Sequence, residues 1–358
     1  MPARPGIHLL PLLLLLCSCS IEEAPPRADL GAATPDTAPA DTITDTSSDL
    51  SPDTGGDSAT ADLAPTDLAA ADASATDAFP QPKPDSCIKT TAAGQRSYTC
   101  DGLTFHVTVP KACLGAACGV VVDVHGLTMN ARMQDNNTNM RALGKKYGYI
   151  VVQPNAKGNP PLTAWTPLDD AKVLAFIKRV LAVWHADKKR VHFTGFSQGG
   201  AMSWRFLCKH GDLLASVAPA AACTATDPLV GCFGAGKKPK HQIPVLFMHG
   251  TKDTLANFSC AKKVRDAVVA AWQLKQTKVV SQDSAHQWTR HAGPKGAVFE
   301  FVRHDYAAKS LVIGGHCYPG SKDHSGGVSG QLFGFACAGA NAFTWGEIAM
   351  KFFVAHPK

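Results

Sequence analysis

The 358-residue chain lacks the features that mark several protein classes. Its N-terminal apolar run, residues 9–16, is too short to cross a bilayer. None of its 12 cysteines forms a Cys-x-x-Cys pair or a cluster with histidines, so the spacing typical of a zinc site is missing and we expect no metal. Motifs that bind DNA or RNA are also missing, so we expect no nucleic-acid partner.

The N-terminus has the pattern of a secretion signal. One early basic residue, Arg4, precedes the apolar run, which predicts a signal peptide over residues 1–18. Residues 16–19 (LCSC) resemble the lipobox of bacterial lipoproteins, which implies cleavage before Cys19 and acylation of that residue. An ordinary cleaved signal is the alternative. We expect a secreted protein, held at a bacterial outer membrane or cell surface by the lipid on Cys19.

Residues 19–86 differ in composition from everything that follows. They are rich in Asp, Thr, Ala and Pro, contain 14 acidic and two basic residues, and have Phe79 as their only aromatic residue. Such a composition cannot bury enough apolar surface to fold, so we predict a disordered acidic linker. Residues 87–358 are then one folded domain with a net charge of about +17. That charge favours an anionic polymer as partner, or is only a solubilising basic face.

Ten cysteines fall in the predicted domain. An even number behind a secretion signal predicts disulfides formed in an oxidising compartment. Neighbours in sequence suggest the pairs Cys113–Cys118 and Cys223–Cys232, and the full connectivity stays open. The other cysteines are Cys87, Cys100, Cys208, Cys260, Cys317 and Cys337.

Strand and helix patterns alternate along the domain. A continuous apolar run of the kind found in buried parallel strands occurs at residues 120–124. Further strands are predicted at residues 103–109, 149–152, 190–194, 243–248, 298–302 and 311–313. Amphipathic helical spacing occurs at residues 139–147, 173–184, 199–210, 261–274 and 345–353, the last behind a capping box at Thr344 and Glu347. The alternation predicts an α/β fold with a mostly parallel sheet, helices on both faces, and a site at the carboxyl ends of the strands.

A candidate nucleophile lies where a predicted strand meets a helix. Residues 195–199 (GFSQG) match the G-x-S-x-G turn that lifts a serine hydroxyl above the edge of a sheet, which makes Ser197 the candidate. Its oxyanion would need preorganised N–H donors. We expect one from the backbone of Gln198, and a second from the amide of Leu127 or Thr128 in the loop after the strand at residues 120–124.

The candidate acid and base follow the serine in chain order. Asp253 lies just after the strand at residues 243–248, and His316 lies in a turn after the predicted strand at residues 311–313, so both belong at strand ends. Weaker candidates for the acid are Asp227, Asp266 and Asp283. The alternatives for the base are His286, His291, His304 and His324, of which His324 is the strongest rival.

Several motifs together resemble a known group of enzymes. Residues 122–126 (VDVHG), 187–191 (DKKRV), 195–202 (GFSQGGAM), 249–253 (HGTKD) and 315–320 (GHCYPG) are similar to those of the polyhydroxybutyrate depolymerase and feruloyl/acetylxylan esterase group. The resemblance is to the carbohydrate esterase family 1-like α/β-hydrolases. It implies a Ser197–Asp253–His316 triad that hydrolyses carboxylic esters. Enzymes of this group are usually secreted and need no cofactor. Tyr318 stands where that group usually has tryptophan.

The substrate is the least determined part of the prediction. Trp165, Tyr318 and Trp288 could bind an aromatic acyl group or a sugar, although such residues more often belong to a core. No binding module of the kind that accompanies many polyester depolymerases is visible. We therefore expect feruloyl or acetyl esters of xylan as the substrate, with polyhydroxybutyrate as the alternative. A catalytically inactive surface binding protein with the same fold is a further alternative.

Overall fold

Ten strands form one mixed sheet in the computed structural model, which describes residues 79–323 and 334–358. The strands are β1 (Gly94–Cys100), β2 (Leu103–Val109), β3 (Gly119–Val124), β4 (Tyr149–Asn155), β5 (Val191–Phe196), β6 (Ser216–Ala220), β7 (Val245–Gly250), β8 (Lys275–Gln282), β9 (His286–Ala292) and β10 (Val298–His304). Their spatial order is β1-β2-β4-β3-β5-β6-β7-β10-β9-β8. The six central strands, β4, β3, β5, β6, β7 and β10, are parallel to one another. Antiparallel pairs flank them, β1 and β2 on one side and β9 and β8 on the other.

Helices cover both faces of the sheet. They are α1 (Ala131–Thr138), α2 (Met140–Tyr147), α3 (Asp169–Val183), α4 (Gln198–His210), α5 (Phe258–Ala271) and α6 (Trp345–Ala355). Apolar residues of α3, α4 and α5 pack on one face, and those of α1, α2 and α6 pack on the other. Every residue of β3, β5, β6 and β7 is buried, which is why their sequences are mostly apolar and do not alternate between apolar and polar residues. The predicted α/β-hydrolase fold is confirmed.

Some local predictions were wrong. Residues 311–313 form a turn, in which Leu311 and Val312 are 92% and 60% exposed, and are not a strand. Thr344 does precede α6, but its side chain makes no capping hydrogen bond. Strands β1, β6, β8 and β9 and helix α1 were not predicted, because they lack long apolar runs. Strand β8 is mostly exposed, and its pairing with β9 contains register shifts next to Lys278 and Val279.

The described chain begins eight residues before Cys87. The amide of Lys83 donates to the carbonyl of Val183 at 2.9 Å, and the carboxylate of Asp85 forms an ion pair with Arg179 at 2.6 Å. Residues 79–86 therefore contact the folded domain. The predicted signal peptide, Cys19 and the remainder of the predicted linker lie outside the described residues. Within the described ranges, none of the helices combines the length and the apolar character that a membrane span requires.

All ten cysteines of the domain are paired in five disulfides. The predicted Cys113–Cys118 pair is confirmed, and the predicted Cys223–Cys232 pair is wrong. Pairing follows the fold, because a disulfide needs Cα atoms roughly 4.4–6.8 Å apart. Cys223, after β6, lies against α5, and Cys232 lies against α4. The remaining bonds are Cys223–Cys260, Cys208–Cys232, Cys87–Cys100 and Cys317–Cys337.

Candidate active site

Ser197 lies in a strained turn between β5 and α4. Its backbone has φ 55° and ψ −115°, a conformation that residues with a side chain rarely adopt. Glycine is required on both sides because a Cβ on Gly199 would lie 2.0 Å from the carbonyl oxygen of Val124, and one on Gly195 would lie 2.4 Å from the backbone of Gly199. The side chain of Ser197 is half-buried at the carboxyl edge of the sheet. This is the geometry of a nucleophile elbow.

Asp253 and His316 meet although 63 residues separate them. Nδ1 of His316 lies 2.7 Å from Oδ2 of Asp253, and both side chains are buried. Backbone contacts between the two loops hold this arrangement: the amide of Gly315 donates to the carbonyl of Lys252 at 2.7 Å, and Asp253 forms an isolated bridge with Gly314. The pair was therefore found by chain position, although the strand expected before His316 does not exist.

The carboxylate of Asp253 is held by several donors. Its Oδ1 accepts hydrogen bonds from the amides of Leu255 at 2.9 Å and Ala256 at 2.7 Å. Burial alone would raise the pKa of Asp253, but His316, His249 and the Ala256 amide together outweigh burial and lower it. Asp253 is thus an anion at neutral pH, and its Oδ2 accepts the Nδ1–H of His316. That tautomer leaves Nε2 of His316 as a proton acceptor.

His316 also lies close to the elbow. Its ring is 4.7 Å from that of Phe196, the residue directly before Ser197. The rival acids have other roles: Asp227 accepts backbone amides, Asp266 pairs with Arg265, and Asp283 pairs with His286. Among the rival bases, His324 lies outside the described residues. The other three are buried, His286 and His291 on β9 and His304 on β10.

One of the two candidate donors after β3 is engaged elsewhere. The amide of Thr128 donates to the carbonyl of Thr163 at 3.0 Å, so the prediction of Thr128 as an oxyanion donor is corrected. Leu127 remains as the candidate in this loop. A Cβ on Gly126 would lie 3.2 Å from Cβ of Ser197, so the loop passes directly beside the serine. Gln198 is the first residue of α4, and its N–H has no acceptor within that helix.

His125 holds the same loop in place. Its Nδ1 lies 2.7 Å from the carbonyl oxygen of Gly126, and its Nε2 accepts the amide of Ala156 at 3.0 Å. Because the second contact needs a lone pair on Nε2, Nδ1 carries the proton. Burial lowers the pKa of His125 to about 4, so the ring is neutral. His125 fixes the turn next to Leu127 and does not transfer protons.

The three predicted substrate-contact residues have different surroundings. Trp165 is 7% exposed, its amide donates to Oε1 of Gln198, and its indole donates to a backbone carbonyl. Trp288 on β9 is half-buried and its indole N–H donates to Glu300 at 2.8 Å. Tyr318 is fully buried and stacks on Phe196 with 4.1 Å between ring centroids. Tyr318 occupies a core position, because its hydroxyl donates to Gln134 inside the domain. A substrate contact for it finds no support.

A buried polar network lies below the elbow, and the sequence analysis did not identify it. The carboxylate of Asp123 on β3 accepts hydrogen bonds from Gln134 at 2.5 Å, Thr138 at 2.9 Å and Gln153 at 2.8 Å. Burial raises the pKa of Asp123 to about 6 in spite of these donors. The phenol of Tyr318 joins the network through Gln134. An acidic residue inside the valine run of β3 was the available signal for such a network.

Comparisons with known proteins agree with this architecture. A family model described as phospholipase/carboxylesterase matches residues 170–292, about a third of the chain, a range that includes Ser197 and Asp253. The bifunctional acetylxylan esterase/xylanase XynS20E of Neocallimastix patriciarum is 28% identical over 160 residues, which is 44% of this chain and 22% of that protein. Feruloyl esterase B of Piromyces equi is 28% identical over 151 residues, 40% of this chain and 27% of that protein.

The matches are partial in extent. The chain aligns with about a quarter of the length of these curated relatives. Among solved structures, the acetyl xylan esterase from Aspergillus awamori aligns with a TM-score of 0.47 and 13% identity, over 59% of this chain and 93% of that one. The family model and the two curated relatives show that the chain is similar to esterases, and the range that the family model matches includes Ser197.

Proposed function

We propose that this chain, an α/β-hydrolase-fold protein related to esterases, is a serine carboxylic-ester hydrolase that acts through Ser197, His316 and Asp253. The observation that carries the proposal is the 2.7 Å contact between His316 and Asp253 at the sheet edge where the elbow presents Ser197. A serine hydroxyl needs a base, and the base needs an orienting carboxylate. His316 would be this base and Asp253 this carboxylate.

The mechanism follows from the roles of these groups. Nε2 of His316 accepts the proton of the Ser197 hydroxyl while the serine oxygen attacks the ester carbonyl carbon. The carbonyl oxygen becomes an oxyanion and accepts hydrogen bonds from the amides of Gln198 and Leu127, each worth about 3–4 kcal/mol in the transition state. His316 then protonates the leaving alcohol, which leaves an acyl group on Ser197. Water, activated by His316, releases the acid and restores the serine.

The proposed substrates are feruloyl or acetyl esters of xylan. The support is the similarity to an acetylxylan esterase/xylanase over 160 residues and to a feruloyl esterase over 151 residues. Trp165, next to Gln198, would lie beside an acyl group bound at the oxyanion site. The excess of basic residues in the domain favours approach to acidic polysaccharides.

Polyhydroxybutyrate is the second candidate substrate. Three leucines are strongly exposed in loops that follow carboxyl ends of strands: Leu162 at 68%, Leu229 at 93% and Leu311 at 92%. Apolar side chains at the edge that holds the serine would suit an apolar polyester better than a hydrated polysaccharide.

The protein is proposed to act outside the cytoplasm. The five disulfides suit an oxidising compartment, and the N-terminal sequence has the pattern of a lipoprotein signal. Labelling with radioactive palmitate tests the anchor. We expect label on the membrane fraction of cells that express the wild type and none with Cys19→Ala. Label that persists in the variant would refute acylation at Cys19.

The activity is tested with the full-length protein and p-nitrophenyl acetate. We expect hydrolysis, stoichiometric inactivation by a fluorophosphonate, and a loss of roughly 10⁴-fold or more in turnover for Ser197→Ala. An unchanged rate in that variant would place the nucleophile elsewhere, and no reaction of the wild type would favour a binding protein. Methyl ferulate, acetylated xylan and hydroxybutyrate oligomers, compared by kcat/KM, then separate the two candidate substrates.

A further inference from the structure

A second histidine contacts the candidate acid at the same carboxylate oxygen as His316. Nε2 of His249 lies 3.4 Å from Oδ2 of Asp253, and both side chains are fully buried. The same Nε2 lies 2.7 Å from the carbonyl oxygen of Ala256. A carbonyl can only accept, so Nε2 of His249 carries the proton and donates it to Ala256 while facing the carboxylate.

This contact closes a ring of interactions around the carboxylate. The amide of Ala256 donates to Oδ1 of Asp253 at 2.7 Å, and the carbonyl of the same residue accepts from His249. His249 therefore fixes the turn at residues 253–256 through the carbonyl of Ala256, and the amide of Ala256 fixes the carboxylate of Asp253. The carboxylate keeps one oxygen, Oδ2, directed at His316.

The ring of His249 cannot move freely. It packs edge-on against Phe247 at 5.8 Å and at a tilt against Phe258 at 6.2 Å between centroids. Cys223 and Cys260 also lie beside it, with ligand-capable atoms of the three residues within 4.8 Å of one another. Both sulfur atoms are joined in a disulfide, so the cluster buttresses the imidazole and offers no thiolate to a metal.

The titratable groups around His249 are Asp253, His316 and, on β10, His304. Burial lowers the pKa of His249, and the nearby carboxylate does not offset this effect. Burial likewise lowers the pKa of His304, to about 3. Both rings are therefore neutral at neutral pH. Because neither His249 nor His304 is charged, the negative charge of Asp253 is not neutralised by them. It can stabilise the imidazolium that would form on His316 during the proposed reaction.

We propose that His249 is a positioning residue for Asp253: through its Nε2–H it fixes the turn at residues 253–256, and with it the carboxylate oxygen that orients His316. The inference rests on the proposed function, because it assigns His249 a part in the same site. The position of His249 before Gly250, at the end of β7, resembles that of His125 before Gly126, but His125 contacts no carboxylate among the described residues.

A matched pair of variants in the full-length protein tests the proposal. Glutamine can place its amide N–H where Nε2 of His249 lies, whereas the shorter asparagine reaches only the position of Nδ1. We expect His249→Gln to stay within about threefold of wild-type kcat, and His249→Asn to lose roughly 10- to 100-fold in kcat with KM changed less than about twofold. The acidic limb of the pH dependence of kcat/KM moves to lower pH in His249→Asn, because a misplaced carboxylate stabilises the imidazolium less.

Two controls separate positioning from general damage. Fluorophosphonate titration counts the active sites, so kcat refers to folded enzyme alone. His291→Asn removes another buried histidine with an unpartnered Nδ1, on β9, and is expected to keep wild-type kcat and pH limb. Equal kcat values for the Gln and Asn variants, or an unmoved acidic limb in His249→Asn, would overturn the proposal.

A measurement on the wild type covers the case in which the variants do not fold. Nitrogen NMR of the imidazoles at neutral pH should show His249 neutral and protonated at Nε2. A ring protonated at Nδ1, or a charged ring, would also overturn the proposal. If the wild type neither hydrolyses esters nor reacts with the fluorophosphonate, the proposed function fails instead, and the NMR result still reports on the contact itself.

Discussion

Replacing Asp253 by asparagine tests the candidate triad with a change of one atom. The amide nitrogen of the new side chain could take either of two positions. At the Oδ1 position that nitrogen would face the amides of Leu255 and Ala256, which now donate at 2.9 and 2.7 Å, so two pairs of donors would be opposed. At the Oδ2 position it would face Nδ1 of His316 at 2.7 Å and only one other donor, the more distant Nε2–H of His249 at 3.4 Å, which already donates to Ala256. The second arrangement is therefore favoured.

The consequence for His316 is a change of tautomer. Facing an N–H donor 2.7 Å away, Nδ1 of His316 must accept, so the proton of the neutral ring moves to Nε2. Nε2 of His316, the proposed acceptor of the Ser197 proton, can then no longer take that proton. A wrong tautomer of this kind costs roughly 10⁴-fold in kcat near neutral pH. This corresponds to about 5.4 kcal/mol in the activation free energy.

The assay is p-nitrophenyl acetate hydrolysis at pH 7, with thermal unfolding to verify that the Asp253→Asn variant is folded. Asp283→Asn is the matched control, because Asp283 also accepts two backbone amides and contacts a histidine, His286 at 2.8 Å. We expect the control to retain wild-type kcat. A folded Asp253→Asn variant that loses less than about tenfold would refute the assignment of the acid and the tautomer argument with it.

Two stability predictions concern buried charges away from the serine. Burial raises the pKa of Asp123 to about 6, so the contribution of this residue to stability is present below about pH 4 and is lost as the pH rises through 6. Relative to Asp123→Asn, the free energy of unfolding should fall by about 3 kcal/mol over that interval. Parallel pH profiles of the two proteins would contradict this prediction. Arg205 on α4 donates two 2.7 Å hydrogen bonds to Asp170 on α3. Arg205→Met should lower the free energy of unfolding in urea by about 3–5 kcal/mol. Arg265→Met, at the exposed pair with Asp266, should lower it by about 0–1 kcal/mol. Equal losses would show that burial does not matter at these pairs.

The sequence predicted the structure best where a short motif is compatible with only one backbone conformation. The glycines at 195 and 199 are required by backbone approaches of 2.0–2.4 Å, so the motif predicted the turn together with its serine. The buried parallel strands other than β6 were predicted because strands covered on both faces have apolar sequences. Asp253 and His316 followed from the rule that sites lie at strand ends, which depends on topology and tolerates an error such as the missing strand at residues 311–313.

Predictions failed where the deciding contact is made by a distant part of the chain. The partner of Cys223 is on α5 and not the nearby Cys232, because helix packing decides which Cα atoms approach. The amide of Thr128 was equivalent to that of Leu127 in the sequence, and only the fold brings Thr163 to one of them. Strand β6 contains Pro219 and few β-branched residues, so its burial between β5 and β7 had no local signature.

The outermost strand β8 bears on how such a protein behaves at high density. Its register shifts against β9 make this edge of the sheet irregular. Its exposed lysines, Lys275 and Lys278, place positive charge where the strand of another copy would have to pair in order to extend the sheet. At high concentration, molecules that meet at this edge are therefore expected not to join strand to strand into fibrils.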